Sequence, residues 1–254
     1  MKKAFTLAGT AHADLFNWLR EPCSAFTLAE VLVTLGIIGV VAAMTLPTII
    51  DNSRNKQLES ALKKSYSTLS QALDMYYAEE GVKLTPKNCG TRQLKPILMK
   101  YLNTAKDCGW GTEKSSKVCI QNPSTMTEEE AKRAYQQYKT LNDKTNIQHM
   151  FFDDGQFVLN DSSLVILENE KINLPIYISV DVNGYNKRPN KLGIDLFMFQ
   201  INDDGALLPM GVKGTRYYNS SNYYCSWTSN SNMNGAGCTY KALYEKDYFK
   251  NLPR

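Results

Sequence analysis

At 254 residues the chain has room for one or two domains and for a core of useful size. Its 29 basic and 25 acidic side chains leave a net charge of +4 and are interleaved along the sequence, which gives no nucleic-acid footprint. Two histidines, His12 and His149, speak against a zinc site or a histidine-centred catalytic apparatus, and no Walker motif occurs, so a non-enzymatic role is expected.

The first 25 residues carry Lys2, Lys3 and Arg20 against Asp14 and Glu21, a small positive excess consistent with a cytoplasmic N-terminus and the bulk of the chain outside. The run Ala25-Phe26-Thr27-Leu28-Ala29-Glu30 follows, and then Val31–Ile50, twenty residues without a charged side chain. As a helix those twenty residues measure ~30 Å at ~1.5 Å each, the thickness of a bilayer's hydrocarbon core. Glu30 heads the apolar run with no basic residue beside it, a placement that is costly in lipid unless a partner is supplied. A secretory signal peptide is the competing reading, with Val31–Val41 as its apolar core and Val40-Val41-Ala42 as its cleavage site; the acid at the head of the run argues against it. Leu58, Leu62, Tyr66, Leu69, Leu73 and Tyr76 then recur at steps of three and four, one face of an amphipathic helix for which Gly81 is the stop. The spacing predicts one helix from Phe26 to Glu80, ~80 Å long, bent at Pro47 where a backbone donor is missing.

This segment resembles the N-terminus of type IV pilins and of the pseudopilins of type II secretion. In that family a prepilin peptidase cuts before a residue that is usually Phe and methylates the new amino terminus. The resemblance places the cut between Ala25 and Phe26, with Glu30 as the fifth mature residue and Pro47 as the twenty-second, where the family has its acid and its proline. The residue before the cut is usually Gly in the family and is Ala25 here. A partial copy, Ala4-Phe5-Thr6-Leu7-Ala8, ends in Gly9 with no apolar span behind it, so the second site is the expected one. The resemblance implies that Glu30 of one subunit pairs with the N-methylated amine of Phe26 in a neighbour during assembly. It also implies the partners: other pilin or pseudopilin subunits, the prepilin peptidase, and the inner-membrane assembly platform of a secretion or pilus machine. The implied location is the cytoplasmic membrane, N-terminus in and C-terminus out, and then an extracytoplasmic filament. The resemblance is closest over residues 25–50 and fades beyond about residue 80.

The expected division is therefore a leader (1–25), the membrane and assembly half of the helix (26–50), its amphipathic half (51–80) and a globular head (81–254). In the head, Leu94–Leu102 reads as a short helix with Pro96 in its first turn, and Thr127-Glu128-Glu129-Glu130 fits a capping box opening a helix to about Leu141. From residue 148 onward strands and turns take over. Gln156–Leu159 and Leu164–Leu167 flank a turn at Asn160-Asp161, Ile176–Val182 alternates, and Ile194–Ile201 turns at Asp203-Asp204-Gly205 into Ala206–Pro209. The expected fold is α+β and pilin-like, a long N-terminal helix packed against an antiparallel sheet. Tyr217–Gly237 reads as loop, its Tyr217, Tyr218, Tyr223, Tyr224 and Trp227 serving either packing or an adhesive surface.

Six cysteines in a chain with an export signal favour disulfides. Without the leader, Cys89, Cys108, Cys119, Cys225 and Cys238 remain, an odd number. Cys108–Cys119 and Cys225–Cys238 close short loops and are the first choice, Cys89 being left over; its pairing with Cys108 or Cys119 stays open. Asp181-Val182-Asn183-Gly184 leads on to Arg188-Pro189-Asn190 and then Gly193, Asp195 and Phe197, a pattern similar to one in many pilin-like heads. Asp181, Asn183 and Asp195 offer oxygens of the kind that hold Ca²⁺, although Tyr185 stands at the third ligand position of an EF-hand; a plain turn is the other reading. No other cofactor is expected. The function expected is that of a structural filament subunit of a type IV pilus or a type II secretion pseudopilus. The alternatives are an exported monomeric binding or adhesive protein and a competence-type filament subunit that binds DNA.

Overall fold

The computed structural model describes residues 26–110, 118–120, 138–218 and 222–252. The leader, including Ala25, and residues 127–137 of the helix expected after Thr127 lie outside the described residues; the expected end of that helix, residues 138–141, is not helical, and Lys139 instead forms β-bridges with Asn146 and Lys191. The chain divides into two units, residues 1–49 and 50–254, and one helix, α1 (Leu28–Glu80), runs from the first into the second.

In the first unit α1 is apolar on every side. Leu32, Leu35, Ile38 and Val41 point in different directions around the helix, and each is more than half exposed. The segment is long and apolar enough to cross a membrane. Two of its hydroxyls bond locally: Thr34 Oγ1 donates to the Val31 carbonyl (3.0 Å) and Thr45 Oγ1 to that of Val41 (2.9 Å). The helix continues through Pro47.

In the second unit the remaining turns of α1 bury Leu58, Leu62, Leu69, Ala72 and Leu73, and Tyr66 stacks on Phe199 with ring centroids 5.6 Å apart. The helix ends where a residue of positive φ is needed: Gly81 has φ +71°, and its N–H donates to the Tyr77 carbonyl at 2.9 Å. A short helix, α2 (Leu94–Tyr101), buries Leu94 and Leu98 in the same core. Among the described residues six strands form one antiparallel sheet in sequence order. They are β1 (Thr104–Asp107), β2 (Gln156–Leu159), β3 (Leu164–Glu168), β4 (Ile176–Asp181), β5 (Leu196–Ile201) and β6 (Leu207–Pro209). A last helix, α3 (Thr239–Tyr244), follows a 3₁₀ turn at Ala236–Cys238.

The sheet is buried on both faces. Phe157, Val165, Leu167, Ile176, Ile178, Val180, Phe197 and Phe199 join the leucines of α1 in one core. Val158, Leu164, Ile166, Tyr177, Leu196 and Met198 face a second core with Tyr138, Phe151, Phe152 and Met210. This is why β4 and β5 are buried at every position. The structure differs from expectation at three places. β1 falls in a stretch without alternation, and three of its four residues are exposed at the sheet edge. β5 begins at Leu196, not Ile194, because Gly193, Ile194 and Asp195 turn: Gly193 N–H donates to the Leu196 carbonyl (2.8 Å) and Ile194 N–H to that of Lys191 (3.1 Å). The 3₁₀ turn and α3 are too short to leave a helical period in the sequence.

Disulfides join Cys108 to Cys119 (Cα–Cα 5.6 Å) and Cys225 to Cys238 (Cα–Cα 4.9 Å). Cys89 is a free, buried thiol whose pKa burial pushes up to about 11.

Candidate functional site

Two places in the chain hold the residues singled out from sequence. The first is the start of α1. Phe26 lies just before the helix and is 84% exposed. Thr27 Oγ1 accepts the Glu30 N–H at 3.2 Å, while Glu30 Oε2 accepts both the N–H and the hydroxyl of Thr27 at 2.8 Å. This is a capping box: two helix-terminal donors are satisfied reciprocally, and the acid sits at the positive end of the helix dipole. Thr27 supplies Glu30 with a local hydrogen-bond partner but no opposite charge, so the carboxylate still has no basic residue beside it. The signal was in the sequence, Thr-x-x-Glu, the same spacing that marks Thr127–Glu130. Both bonds fall on Oε2, and Oε1 takes no hydrogen bond from the described residues. Thr27 and Glu30 are brought together; Pro47, seventeen residues further along the helix, is not. Ala25 lies outside the described residues.

The second place is the loop from β4 to β5. Asp181 and Asp195 are both fully buried. Asp181 Oδ1 accepts the N–H groups of Asn183 (3.3 Å) and Gly184 (2.9 Å), and Oδ2 accepts the hydroxyl of Tyr138. Asp195 Oδ2 accepts the Asn190 N–H (2.7 Å) and Oδ1 that of Lys191 (2.6 Å). Burial raises the pKa of Asp181, and the charge of Asp195 adds to the effect; burial likewise raises that of Asp195. Gly184 cannot be replaced cheaply: its φ is +84°, and a Cβ there would stand 2.3 Å from the Ser162 carbonyl oxygen. The structure therefore gathers Asp181, Asn183 and Asp195, as their spacing suggested, and adds Asn190 and Tyr138. Nothing near Tyr138 in sequence announces its role, because it reaches Asp181 from 43 residues away.

The aromatic tail splits. Tyr217 is buried between Phe151 (5.7 Å) and Tyr224 (4.9 Å), whereas Tyr218, Tyr223 and Trp227 are exposed. Among the described residues no group of three or more His, Cys, Asp or Glu side chains is placed to hold a metal ion.

Comparison with known families matches residues 22–46 to the prokaryotic N-terminal methylation motif. Comparisons with curated proteins and with solved structures return no match. The matched residues span the predicted cut, the Thr27–Glu30 box and most of the apolar run. They support a pilin-like subunit processed by prepilin peptidase, and with the exposed apolar helix they fit membrane anchoring followed by filament assembly. The chain carries the prepilin-type N-terminal segment characteristic of type IV pilins and pseudopilins, on a pilin-like α+β architecture.

Proposed function

We propose that the protein is a structural, non-catalytic subunit of a type IV pilus-like or type II secretion pseudopilus filament. It is made as a precursor, cut between Ala25 and Phe26, and N-methylated at Phe26. It then waits in the cytoplasmic membrane by residues 26–50, N-terminus in and head out, before it assembles through that helix. The observation that carries this reading is the methylation motif over residues 22–46, which from Leu28 onward lies on a helix whose apolar side chains are unburied on every side. In lipid those side chains are solvated by acyl chains; in a filament they meet other copies of the same helix. In assembly, Glu30 offers the new amine of Phe26 in a neighbour its Oε1, while Oε2 keeps the cap. Extraction from the membrane needs a partner machine, because the chain has no nucleotide-binding motif.

Mass spectrometry of the mature N-terminus tests this. A chain beginning at N-methyl-Phe26 is expected. A chain beginning near Ala43 would refute the reading and favour an exported protein released by a signal peptidase.

A further inference from the structure

The apolar half of α1 leaves one hydrogen-bond acceptor and one donor unmatched. Pro47 has no N–H, so the carbonyl of Ala43, four residues back in the helix, loses its backbone donor. Among the described residues no side chain replaces that donor, since Thr34 and Thr45 bond the carbonyls of Val31 and Val41. Thr48 carries the remaining hydroxyl between Leu28 and Ile50, and it forms no hydrogen bond among the described residues. In a bilayer core neither group has water to turn to. Prolines persist in such helices because something else, often a hydroxyl or a neighbouring helix, satisfies the freed carbonyl.

The two groups do not meet within one helix. Five residues separate them, and at ~3.6 residues per turn that puts Thr48 about 140° round the axis from Ala43. Glu30 stands differently. It lies eighteen positions before Thr48, about five full turns, so the two share a face. Pairing Glu30 with the amine of Phe26 in a parallel neighbour offsets the two helices by four residues, ~6 Å at ~1.5 Å each. Phe26 precedes the helix, so its amine is not tied to one face. The same offset brings Thr48 level with Met44 of that neighbour. The Ala43 carbonyl points toward the C-terminal end of its helix, onto that level, and the Thr48 side chain leans back toward the N-terminus to meet it. One register serves both pairs.

We propose that the Thr48 hydroxyl of one subunit donates to the Ala43 carbonyl of the next, replacing the bond that Pro47 removes. The inference rests on the filament reading above and adds to Glu30 a second contact, five turns along the same face. Donor and acceptor occupy different faces of the helix, so each copy gives on one side and receives on another. Such a heterologous contact builds an open filament when its rotation does not close into a ring. A monomer in the membrane has no neighbour to supply the hydroxyl, so the bond forms only on assembly, and it is strong there because no water competes.

The test uses the full chain in the cells that make it, read as sheared filament and cross-linked oligomer. Thr48→Val keeps the side chain's shape and removes the donor; a fall in assembly of about three- to tenfold is expected, with Thr48→Ser near wild type. Pro47→Ala returns an N–H to the Ala43 carbonyl, so in that background Thr48→Val is expected to cause no further loss. Thr48→Cys combined with Ala43→Cys is expected to link copies into a ladder under mild oxidant, which neither single cysteine produces. Should Pro47→Ala itself fail to assemble, Thr48→Ser and the ladder decide. Wild-type assembly of Thr48→Val, or an equal loss in both backgrounds, overturns the proposal and leaves the filament reading standing. A wild-type chain that yields no filament or oligomer, and whose mature N-terminus is not Phe26, overturns that reading and the proposal with it.

Discussion

At the scale of single residues, Glu30 combines two roles that one substitution can separate. Glutamine at the third helical position still accepts the Thr27 N–H and so preserves the capping box, but it carries no charge. If the charge is what a neighbour's amine meets, Glu30→Gln will assemble as poorly as Glu30→Ala, measured as sheared filament or cross-linked oligomer. Wild-type assembly of Glu30→Gln would mean that the cap alone matters. Glu168, at the end of β3, makes a second residue-level case. Burial, and then the charges of Asp154, Asp153 and Glu170, push its pKa up to about 8, and its Oε2 is buried without a donor. Its unfolded value is ~4.3. The fold therefore favours the neutral form: the stabilisation is complete below pH ~4.3 and is lost as pH rises toward 8. Glu168→Gln is expected to melt about 2–4 °C above wild type at pH 9 and together with it near pH 4.5. A gain of the same size at both pH values would refute the assignment.

Elements are held by periodic faces, and α1 carries two different ones. From Leu58 to Leu73 a single stripe meets the sheet, with Leu62 fully buried against it. Leu62→Ala is expected to cost about 2–5 kcal/mol, read from the denaturant midpoint. Lys63→Ala, one position on, removes only an exposed ion pair with Glu59 and is expected to fall within about 0.5 kcal/mol of wild type. From Leu28 to Ile50 no stripe exists. The absence of one is itself informative: a helix apolar all round meets either lipid or its own kind. Gly36 and Gly39 sharpen that point, since apart from the helix's own adjacent backbone no described atom lies within 4 Å of where a Cβ would stand.

Across the whole molecule, what was legible in sequence followed from periodicity and punctuation. α1 with its Gly81 stop, α2, the β2–β3 hairpin and β4 were marked by steps of three and four, by alternation, or by turn residues. The elements left unread were those whose order comes from elsewhere in the fold. β1 is polar and takes its pairing from β2 across 48 residues, and α3 is six residues long behind a 3₁₀ turn. The second core was hidden for a related reason. A strand buried on both faces alternates between two apolar environments, and the pattern Ile176, Ile178, Val180 named only one of them. At the loop, Asp181 and Asp195 were visible as oxygens, but that both are buried, and that Asn190 has an orphaned oxygen, are properties of the tertiary structure.

The strand order β1-β2-β3-β4-β5-β6 also bears on how the head comes into being. From β2 to β6 each strand pairs with a near predecessor in the chain, whereas β1 waits for a partner across 48 intervening residues. For β2 to β6 loop-closure entropy is met in successive small steps. A chain that emerges N-terminal end first can add β2 to β6 in the order in which they appear, with the turns of α1 that cover the sheet already present.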